Sequence, residues 1–232
     1  MTPPRALFAA AFAVLAHPVM AGDSQVVVEL FTSQGCSSCP PADAVFRDLA
    51  QREDVIALAL HVDYWDYIGW EDAFADPEYA VRQRAYAAAA GRRMIYTPQM
   101  IVQGREDLVG VKTMELAELI LKYRESDPTV GIDVARSGGK VVVQLSPLAQ
   151  LSGPYDVQLV RYDPLRSSHI TRGENAGHDF DYANVVTDWE VIGRWDGKAP
   201  ATLHAPLRGD APAVVLVQQA GAGPIAGAAR LD

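Results

Sequence analysis

QVVVELFTSQGCSSCPPADAVFRDLA, residues 25–50, is the stretch that decides the fold. Its first seven residues are mostly apolar and rich in β-branched side chains, which predicts a buried strand. After Pro40 and Pro41, apolar residues recur at the spacing of one helix face, which predicts a helix. Cys36 and Cys39 therefore lie between the end of a strand and the first turn of a helix.

The spacing and position of Cys36 and Cys39 favour redox chemistry. Unpaired N–H groups and the dipole at a helix N-terminus favour the thiolate form of a cysteine. A thiolate at Cys36 can attack a substrate disulfide, and Cys39 can then resolve the mixed disulfide. We predict Cys36 as the nucleophile, Cys39 as the resolving residue, and a disulfide between them in the oxidised protein. A helix that began only at Pro41 would weaken the effect of the dipole at Cys36.

Two other interpretations of the pair stay open. A disulfide across so short a loop restricts the unfolded chain little, so a purely structural bond would add little stability. A structural zinc site commonly uses four ligands, and the chain has only two cysteines. His61, at the end of the second predicted strand, is either a third ligand of a copper-binding site or a structural histidine.

The order of the predicted elements indicates an α/β domain over residues 22–127. The order strand, helix, strand, helix, strand, strand, helix is that of the thioredoxin fold, a central mixed sheet flanked by helices. After the first helix, the predicted elements are a strand over 55–62, a helix over 77–90, short strands over 99–102 and 107–109, and a helix over 113–122.

Three motifs carry a resemblance to a known family. They are VELFTSQGCSSCPPAD from residue 28, HVDYWDYIGW from residue 61 and YTPQMIVQG from residue 96. In this order they resemble a family of secreted bacterial thioredoxin-like proteins known mainly as a domain of unknown function. The resemblance implies a cis-proline opposite the cysteine pair, which we assign to Pro98. A cis bond there would expose the backbone of Thr97 to an extended substrate peptide.

The residues predicted to bind substrate lie in two segments near the cysteine pair: Tyr64, Trp65, His61 and Gln99. With Tyr67 and Trp70, the first two form an aromatic cluster that either walls a substrate groove or fills the interface with a second, C-terminal domain. Asp63 is either an acid that assists deprotonation of Cys39 or an ordinary loop carboxylate.

Beyond residue 127 the pattern changes to short apolar runs separated by turn residues. Gly138-Gly139, Gly153-Pro154 and Asp196-Gly197 are such turns, and no strong helix pattern follows. Residues 128–232 are therefore predicted to form a second, all-β domain with a sandwich-like arrangement.

The first 21 residues are typical of a signal peptide. Arg5 precedes an apolar run from Ala6 to Ala16, and the small residue Ala21 suits a cleavage site. We expect a periplasmic or secreted protein with no membrane association after cleavage. The net charge of −9 and the lack of a basic cluster argue against nucleic acid as a partner.

These observations predict an exported thiol–disulfide oxidoreductase that acts on exported proteins, small thiols or a redox partner through a mixed disulfide. The chemistry needs no cofactor, and no metal site is assigned. The alternative is a thioredoxin-like binding protein for a peptide or a copper ion, in which the disulfide is only structural.

Overall fold

The computed structural model describes residues 25–231, so the predicted signal peptide lies outside the described residues. Residues 25–231 form a mixed α/β fold with one eight-stranded sheet, one three-stranded sheet and three α-helices. None of these helices is long and apolar enough to cross a membrane.

The first half of the chain alternates strands and helices in the predicted order. Its elements are β1 (Val26–Thr32), α1 (Pro40–Ala50), β2 (Val55–His61), α2 (Pro77–Ala89), β3 (Gln99–Val102), β4 (Glu106–Val109) and α3 (Thr113–Arg124). Every residue of β1 and β2 is buried. Because both faces of these parallel strands are covered, their sequences are nearly continuous apolar runs, and this made them predictable.

The second half of the described chain contains strands and no α-helix. They are β5 (Val130–Ser137), β6 (Lys140–Pro147), β7 (Tyr155–His169), β8 (Asp179–Trp195), β9 (Ala201–Pro206), β10 (Ala213–Gln219) and β11 (Ile225–Leu231). Strands β7 and β8 extend beyond the predicted ranges 155–162 and 185–195. Their additional residues form the outer part of a long hairpin, where most side chains of β7 are exposed or half-buried and polar.

Both halves contribute to the large sheet, whose strand order is β11-β10-β7-β8-β2-β1-β3-β4. Strand β8 pairs in parallel with β2 through Ala59 and Val185. Next to this pair, the side-chain amide of Asn184 donates to the carbonyl of Ala57 at 3.0 Å. The second strand of the first half, β2, is thus joined to β8 of the second half at the centre of the sheet.

The sheet crosses the predicted domain boundary at residue 127, so the prediction of a separate all-β domain is not confirmed. Turn residues and apolar runs identify strands locally, but they do not specify which sheet a strand joins. Here the long hairpin of β7 and β8 covers the edge of β2 that the first half leaves unpaired. Among the described strands, β5, β6 and β9 form a separate three-stranded sheet in the order β5-β6-β9, which shares no strand pairing with the large sheet.

The core has two layers, one on each face of the large sheet. On one face, α2 packs against residues of β1 and β2 together with Val160, Val186 and Leu216 of the second half. On the other face, α1 and α3 cover the strands of the first half, and the three-stranded sheet covers β7 and β10. The continuous layer under α2 therefore ties the two halves together.

Candidate functional site

The predicted disulfide between Cys36 and Cys39 is present in the turn between β1 and α1. The two Cα atoms are 5.4 Å apart, and the amide of Cys39 donates to the carbonyl of Cys36 at 3.1 Å. Cys36 is 3% exposed and Cys39 is fully buried. Ser37 and Ser38 are exposed, so the serine spacer is the part of the turn that faces solvent.

Helix α1 begins one residue after Cys39, which is its N-cap. The carbonyl of Cys39 accepts hydrogen bonds from the amides of Ala42 at 2.8 Å and Asp43 at 3.0 Å. Pro40 fits the first helical position because no N–H group is needed there. The helix is therefore not delayed to Pro41, but its N-terminus lies at Cys39, and Cys36 precedes it by three residues.

Three predicted site residues, Cys36, Thr97 and Trp65, lie together. The Thr97–Pro98 peptide bond is cis, as predicted. The Thr97 hydroxyl accepts a hydrogen bond from the indole nitrogen of Trp65 at 2.7 Å and donates to Cys36 Sγ at 3.2 Å. Because the Thr97 oxygen accepts from the indole, the single O–H donor of Thr97 is directed at Cys36 Sγ.

The members of the aromatic cluster lie in two different surroundings. The ring of Tyr67 stacks on Trp65 at a centroid distance of 6.4 Å and is 80% exposed. The indole of Trp70 instead donates to the side-chain carbonyl of Gln34 at 2.7 Å, within the packing against the second half. The interface interpretation is therefore supported for Trp70, and the substrate-groove interpretation stays a prediction for the other members of the cluster.

Tyr64 and Gln99 belong to a hydrogen-bond network around Gln83 of α2. The Tyr64 hydroxyl donates to Gln83 Oε1 at 3.1 Å, and Gln83 Nε2 donates to Gln99 Oε1 at 2.8 Å. Burial raises the pKa of Tyr64 to about 12. These contacts give the two residues a structural role beside the site, and the substrate contacts predicted for them stay a prediction.

His61 is fully buried, so it cannot touch a substrate in this conformation. Its Nδ1 lies 2.8 Å from the carboxylate of Asp72, which is also fully buried. The edges of Phe74 and Tyr182 pack on the imidazole. The substrate-binding role predicted for His61 is therefore corrected to a buried polar one, because the strand end that carries it is covered by α1 and by the β8 strand.

Asp43 of α1 is not among the residues predicted from sequence, yet it lies buried next to this pair. It accepts a hydrogen bond from the Thr32 hydroxyl at 2.8 Å. Burial raises its pKa from 3.8 to about 7, while His61 and the Thr32 hydrogen bond act in the opposite direction. The spacing of four residues from Cys39 was the available sequence signal, but only the tertiary fold shows that Asp43 is buried.

The tip of the β7–β8 hairpin covers the turn that carries the cysteines. The side-chain amide of Asn175 donates to the carbonyls of Gln34 at 2.8 Å and Cys36 at 3.1 Å. Gly173 packs so closely on Trp70 that a Cβ atom would lie 3.2 Å from the Trp70 Cβ. The second half therefore holds the backbone of the cysteine turn in place.

No group of three or more His, Cys, Asp or Glu side chains that could hold a metal ion is found among residues 25–231. His61, the third ligand of the copper-site hypothesis, has its Nδ1 2.8 Å from the carboxylate of Asp72. Asp63 lies in the loop after β2, where its carbonyl accepts from the amide of Asp66 at 3.0 Å.

Comparison with known proteins places the chain in a family. The family described as protein of unknown function (DUF1223) matches residues 27–218. The chain belongs to this family. No curated protein sequence matches this DUF1223 protein.

The solved structures that resemble the DUF1223 chain include the following two. The crystal structure of protein AGR_C_4864 from Agrobacterium tumefaciens is 32% identical, with a TM-score of 0.77, over 90% of this chain and 95% of that one. HBP35 of Porphyromonas gingivalis is 15% identical, with a TM-score of 0.57, over 90% of this chain and 74% of that one. The second likeness concerns the fold alone.

The buried carboxyl of Asp43 gives a first testable prediction, on stability. Asp43→Asn should raise the free energy of unfolding of the DUF1223 protein at pH 8, because asparagine can accept the Thr32 hydrogen bond without becoming charged. An acid whose pKa is higher in the folded state loses stability as pH rises through the interval between the two values. The gain in free energy of unfolding of Asp43→Asn over the wild type should therefore be absent below pH 3.8, grow up to about pH 7 and stay constant above it.

Urea unfolding of both proteins across this pH range measures the effect. Asp48→Asn, on the exposed side of the same helix, is the matched control and should show a difference that is small and nearly independent of pH. A pH-independent loss of stability in Asp43→Asn would contradict the raised pKa.

Proposed function

We propose that this protein is an exported thiol–disulfide oxidoreductase with Cys36 as the nucleophile and Cys39 as the resolving residue. The observation that carries the proposal is the Thr97 hydroxyl, which donates to Cys36 Sγ at 3.2 Å. A disulfide that only crosslinks the chain has no need of such a donor. When the disulfide opens, the same hydroxyl stabilises the Cys36 thiolate, because a hydrogen bond to a charged acceptor is stronger than one to a neutral acceptor.

The arrangement of the first half supports a thioredoxin-like catalytic unit. The cysteine pair lies between β1 and α1, and Thr97–Pro98 precedes β3, which pairs antiparallel with β1. This pairing brings the start of β3 to the end of β1, where the cysteine turn begins. The second half takes part in the proposed site. Asn175, which lies outside the thioredoxin-like unit, donates a hydrogen bond to the carbonyl of Cys36 and holds it in place.

The reaction exchanges one disulfide for another. The Cys36 thiolate attacks a sulfur of a substrate disulfide, the substrate S–S bond breaks, and one substrate thiolate leaves. Cys39, as a thiolate, then attacks Cys36 Sγ and releases the second substrate thiolate. The cysteine pair has given two electrons to the substrate and ends as a disulfide, and the same steps in reverse oxidise a substrate dithiol.

The substrate class that fits the site is an exported protein with an accessible disulfide or dithiol. The exposed ring of Tyr67, stacked on Trp65, offers an apolar surface close to the Thr97 hydroxyl. Aromatic rings of this kind supply contact area for an extended peptide at a small entropic cost. The signal-like residues 1–21 support export to the periplasm or outside the cell, where disulfides persist.

Trapping of mixed disulfides tests the proposal and is the second prediction. Cys39→Ser should accumulate covalent complexes with exported proteins, because Cys36 still attacks but nothing resolves the product. Cys36→Ser is the matched control and should accumulate none, because the buried Cys39 is not reached by a substrate. The complexes are detected on non-reducing gels of cells whose thiols have been blocked, and they are identified by mass spectrometry.

Two results would count against the enzyme. If Cys39→Ser captures no partner, Cys36 does not act as a nucleophile. If both single variants capture the same partners equally, the reactivity belongs to any unpaired cysteine and not to a catalytic pair.

A further inference from the structure

The tip of the β7–β8 hairpin, residues 170–178, carries one buried polar side chain, that of Asn175. It is 7% exposed, whereas residues 171–174 and 176–179 are all exposed. The tip is closed by hydrogen bonds from the amide of Ile170 to the carbonyl of His178 at 2.9 Å and from the amide of Gly177 to the carbonyl of Ile170 at 2.7 Å. A side-chain amide is buried at a cost unless its polar atoms find partners, so the burial of Asn175 indicates a specific contact.

The amide group of Asn175 faces two main-chain carbonyls of the cysteine turn. Its nitrogen Nδ2 lies 2.8 Å from the carbonyl oxygen of Gln34 and 3.1 Å from that of Cys36. Because a carbonyl can only accept, the NH2 group must face this pair, and each of its two N–H bonds serves one oxygen. The positive end of the amide dipole is therefore directed at Cys36, the predicted nucleophile.

The conformation of the turn does not depend on Asn175 alone. The amide of Cys36 donates to the carbonyl of Ser33 at 3.2 Å, which closes the turn locally. The amide of Gln34 donates to Asp72 Oδ2 at 2.8 Å, on the side of the loop that follows β2. Loss of the Asn175 amide should therefore leave the turn in its conformation and remove mainly the effect of the dipole.

The hairpin is also held on the turn by contacts that do not include Asn175. The side chain of Gln34 is fully buried, and its Oε1 accepts from the indole of Trp70 at 2.7 Å and from the hydroxyl of Ser168 at 3.3 Å. Trp70 in turn packs against Gly173 of the tip. Docking of the tip and the effect of the Asn175 dipole can thus be changed separately.

The charges near the turn are such that a donor at Cys36 has a marked effect. Asp72, which accepts from the Gln34 amide, places a buried carboxylate beside the turn, and negative charge near a sulfur disfavours its thiolate. Other titratable side chains near the turn are Asp43 of α1, His61 of β2, Asp66 of the following loop, and the exposed Arg172, Glu174 and His178 of the tip. Water screens the exposed charges, so the fixed positive potential from the hairpin comes from the Asn175 amide.

We propose that Asn175 is a positioning residue whose amide dipole, acting through the Cys36 carbonyl, stabilises the Cys36 thiolate and makes the Cys36–Cys39 disulfide a stronger oxidant. The inference rests on the proposed function, since it concerns the nucleophile of that reaction. When the disulfide is reduced, Cys36 Sγ changes from neutral to negative. A fixed donor stabilises a charge more than a neutral atom, so Asn175 favours the reduced form over the oxidised one. The second half of the chain thereby sets the redox equilibrium of a cysteine pair in the first half.

The test is the third prediction, and it measures the thiol–disulfide equilibrium of the full-length mature protein with glutathione at pH 7. The protein dithiol gives two electrons and two protons to oxidised glutathione, which leaves the protein disulfide and two molecules of reduced glutathione. In Asn175→Ala the equilibrium constant of this reaction should rise about fivefold, the effect of one helix-terminus dipole on a charge. This rise corresponds to a reduction potential about 20 mV lower. Alkylation of the free thiols followed by mass spectrometry gives the reduced fraction.

A second variant and two controls separate the dipole from the docking of the hairpin. Asn175→Asp keeps the shape of the side chain but replaces the donor by a negative charge, so the constant should rise further than in Asn175→Ala. Ser168→Ala removes one contact between the hairpin and Gln34 and leaves the Cys36 carbonyl untouched. Glu174→Gln removes an exposed charge next to Asn175. Both controls should stay within about twofold of the wild type.

The outcomes separate this inference from the proposed function. A constant that falls in Asn175→Ala would overturn the inference, because the amide would then serve to hold the disulfide form of the turn. An unchanged constant, or a change in Ser168→Ala as large as that in Asn175→Ala, would overturn it as well, and the oxidoreductase proposal would stand. Near-UV circular dichroism checks that each variant is folded, and Asn175→Ala decides alone if Asn175→Asp is not.

The wild type tests the proposed function independently of Asn175. Its reduced form should attack the aromatic disulfide dithiobis-nitrobenzoate through Cys36 and release a coloured thiolate. If the reduced wild type releases none, Cys36 is not a nucleophile, and the proposed function is overturned together with this inference.

Discussion

The fragment that ends at residue 127 is expected not to fold on its own, although its sequence contains every element of the predicted α/β domain. In the full protein, the layer under α2 joins Phe31 and Leu58 of the first half to Val160, Val186 and Leu216 of the second. The fragment would expose the first set to water and leave the edge of β2 unpaired. The free energy of unfolding of a domain is only about 5–15 kcal/mol, so the loss of such a layer is enough to unfold it.

The measurement compares the fragment over residues 22–127 with the full mature chain by near-UV circular dichroism and urea unfolding. The full chain should unfold in one cooperative transition, and the fragment should show none. Co-expression of 22–127 and 128–232 as separate chains is the matched control, because the two pieces together can rebuild the shared layer and restore the transition. A fragment that unfolds cooperatively at the midpoint of the full chain would instead support two independent domains.

Individual strands and helices are encoded by neighbouring residues, whereas the division of the chain into domains is not. Strand β1 and the helix after Pro40 follow from the nearest 25 or so residues, because burial on both faces requires a continuous apolar run. The position of Pro98 opposite Cys36 comes instead from the resemblance to thioredoxin-like proteins. The pairing of β8 with β2 follows from neither source, since a single residue pair, Ala59 and Val185, joins these strands across more than a hundred residues.

The candidate site divides in the same way. Cys36, Cys39 and Thr97 could be assigned from sequence because their chemistry or their place in the fold is specific. Asp43 could not, since in the helix pattern it is an ordinary polar residue between apolar ones. Its burial depends on Thr32, His61 and the β8 strand, which come together only in the folded protein. His61 was misassigned for the same reason, because a strand end can be open or covered.

The largest effect of a single substitution is expected at Arg82 of α2, which binds across both halves. Its guanidinium donates to the buried carboxylate of Glu29 in β1 at 2.6 Å and to Gln218 of β10 at 3.0 Å. It also lies 3.9 Å above the ring of Trp189 in β8. Glu29 is fully buried and has no other cation within salt-bridge distance among residues 25–231.

Arg82→Met should therefore lower the free energy of unfolding by about 3–5 kcal/mol, because it leaves the charge of Glu29 buried without its partner. Urea unfolding at neutral pH measures the change. The double variant Glu29→Met with Arg82→Met should recover most of the loss, since a buried ion pair can often be replaced by apolar residues of similar volume. Arg84→Met, at an exposed position of the same helix, should change the free energy by less than about 0.5 kcal/mol.

The double variant distinguishes between two reasons for the loss. If the single variant is unstable because a charge is left uncompensated, removal of Glu29 restores stability even though the contacts of Arg82 with Trp189 and Gln218 stay absent. If those contacts carry most of the energy, the double variant remains as unstable as the single one. The first result is expected, because the penalty of a lone buried carboxylate exceeds that of a lost cation–π contact, about 2 kcal/mol when it is shielded from water. A loss below about 1 kcal/mol in Arg82→Met would contradict both reasons and the role of Arg82 as the link between the two halves.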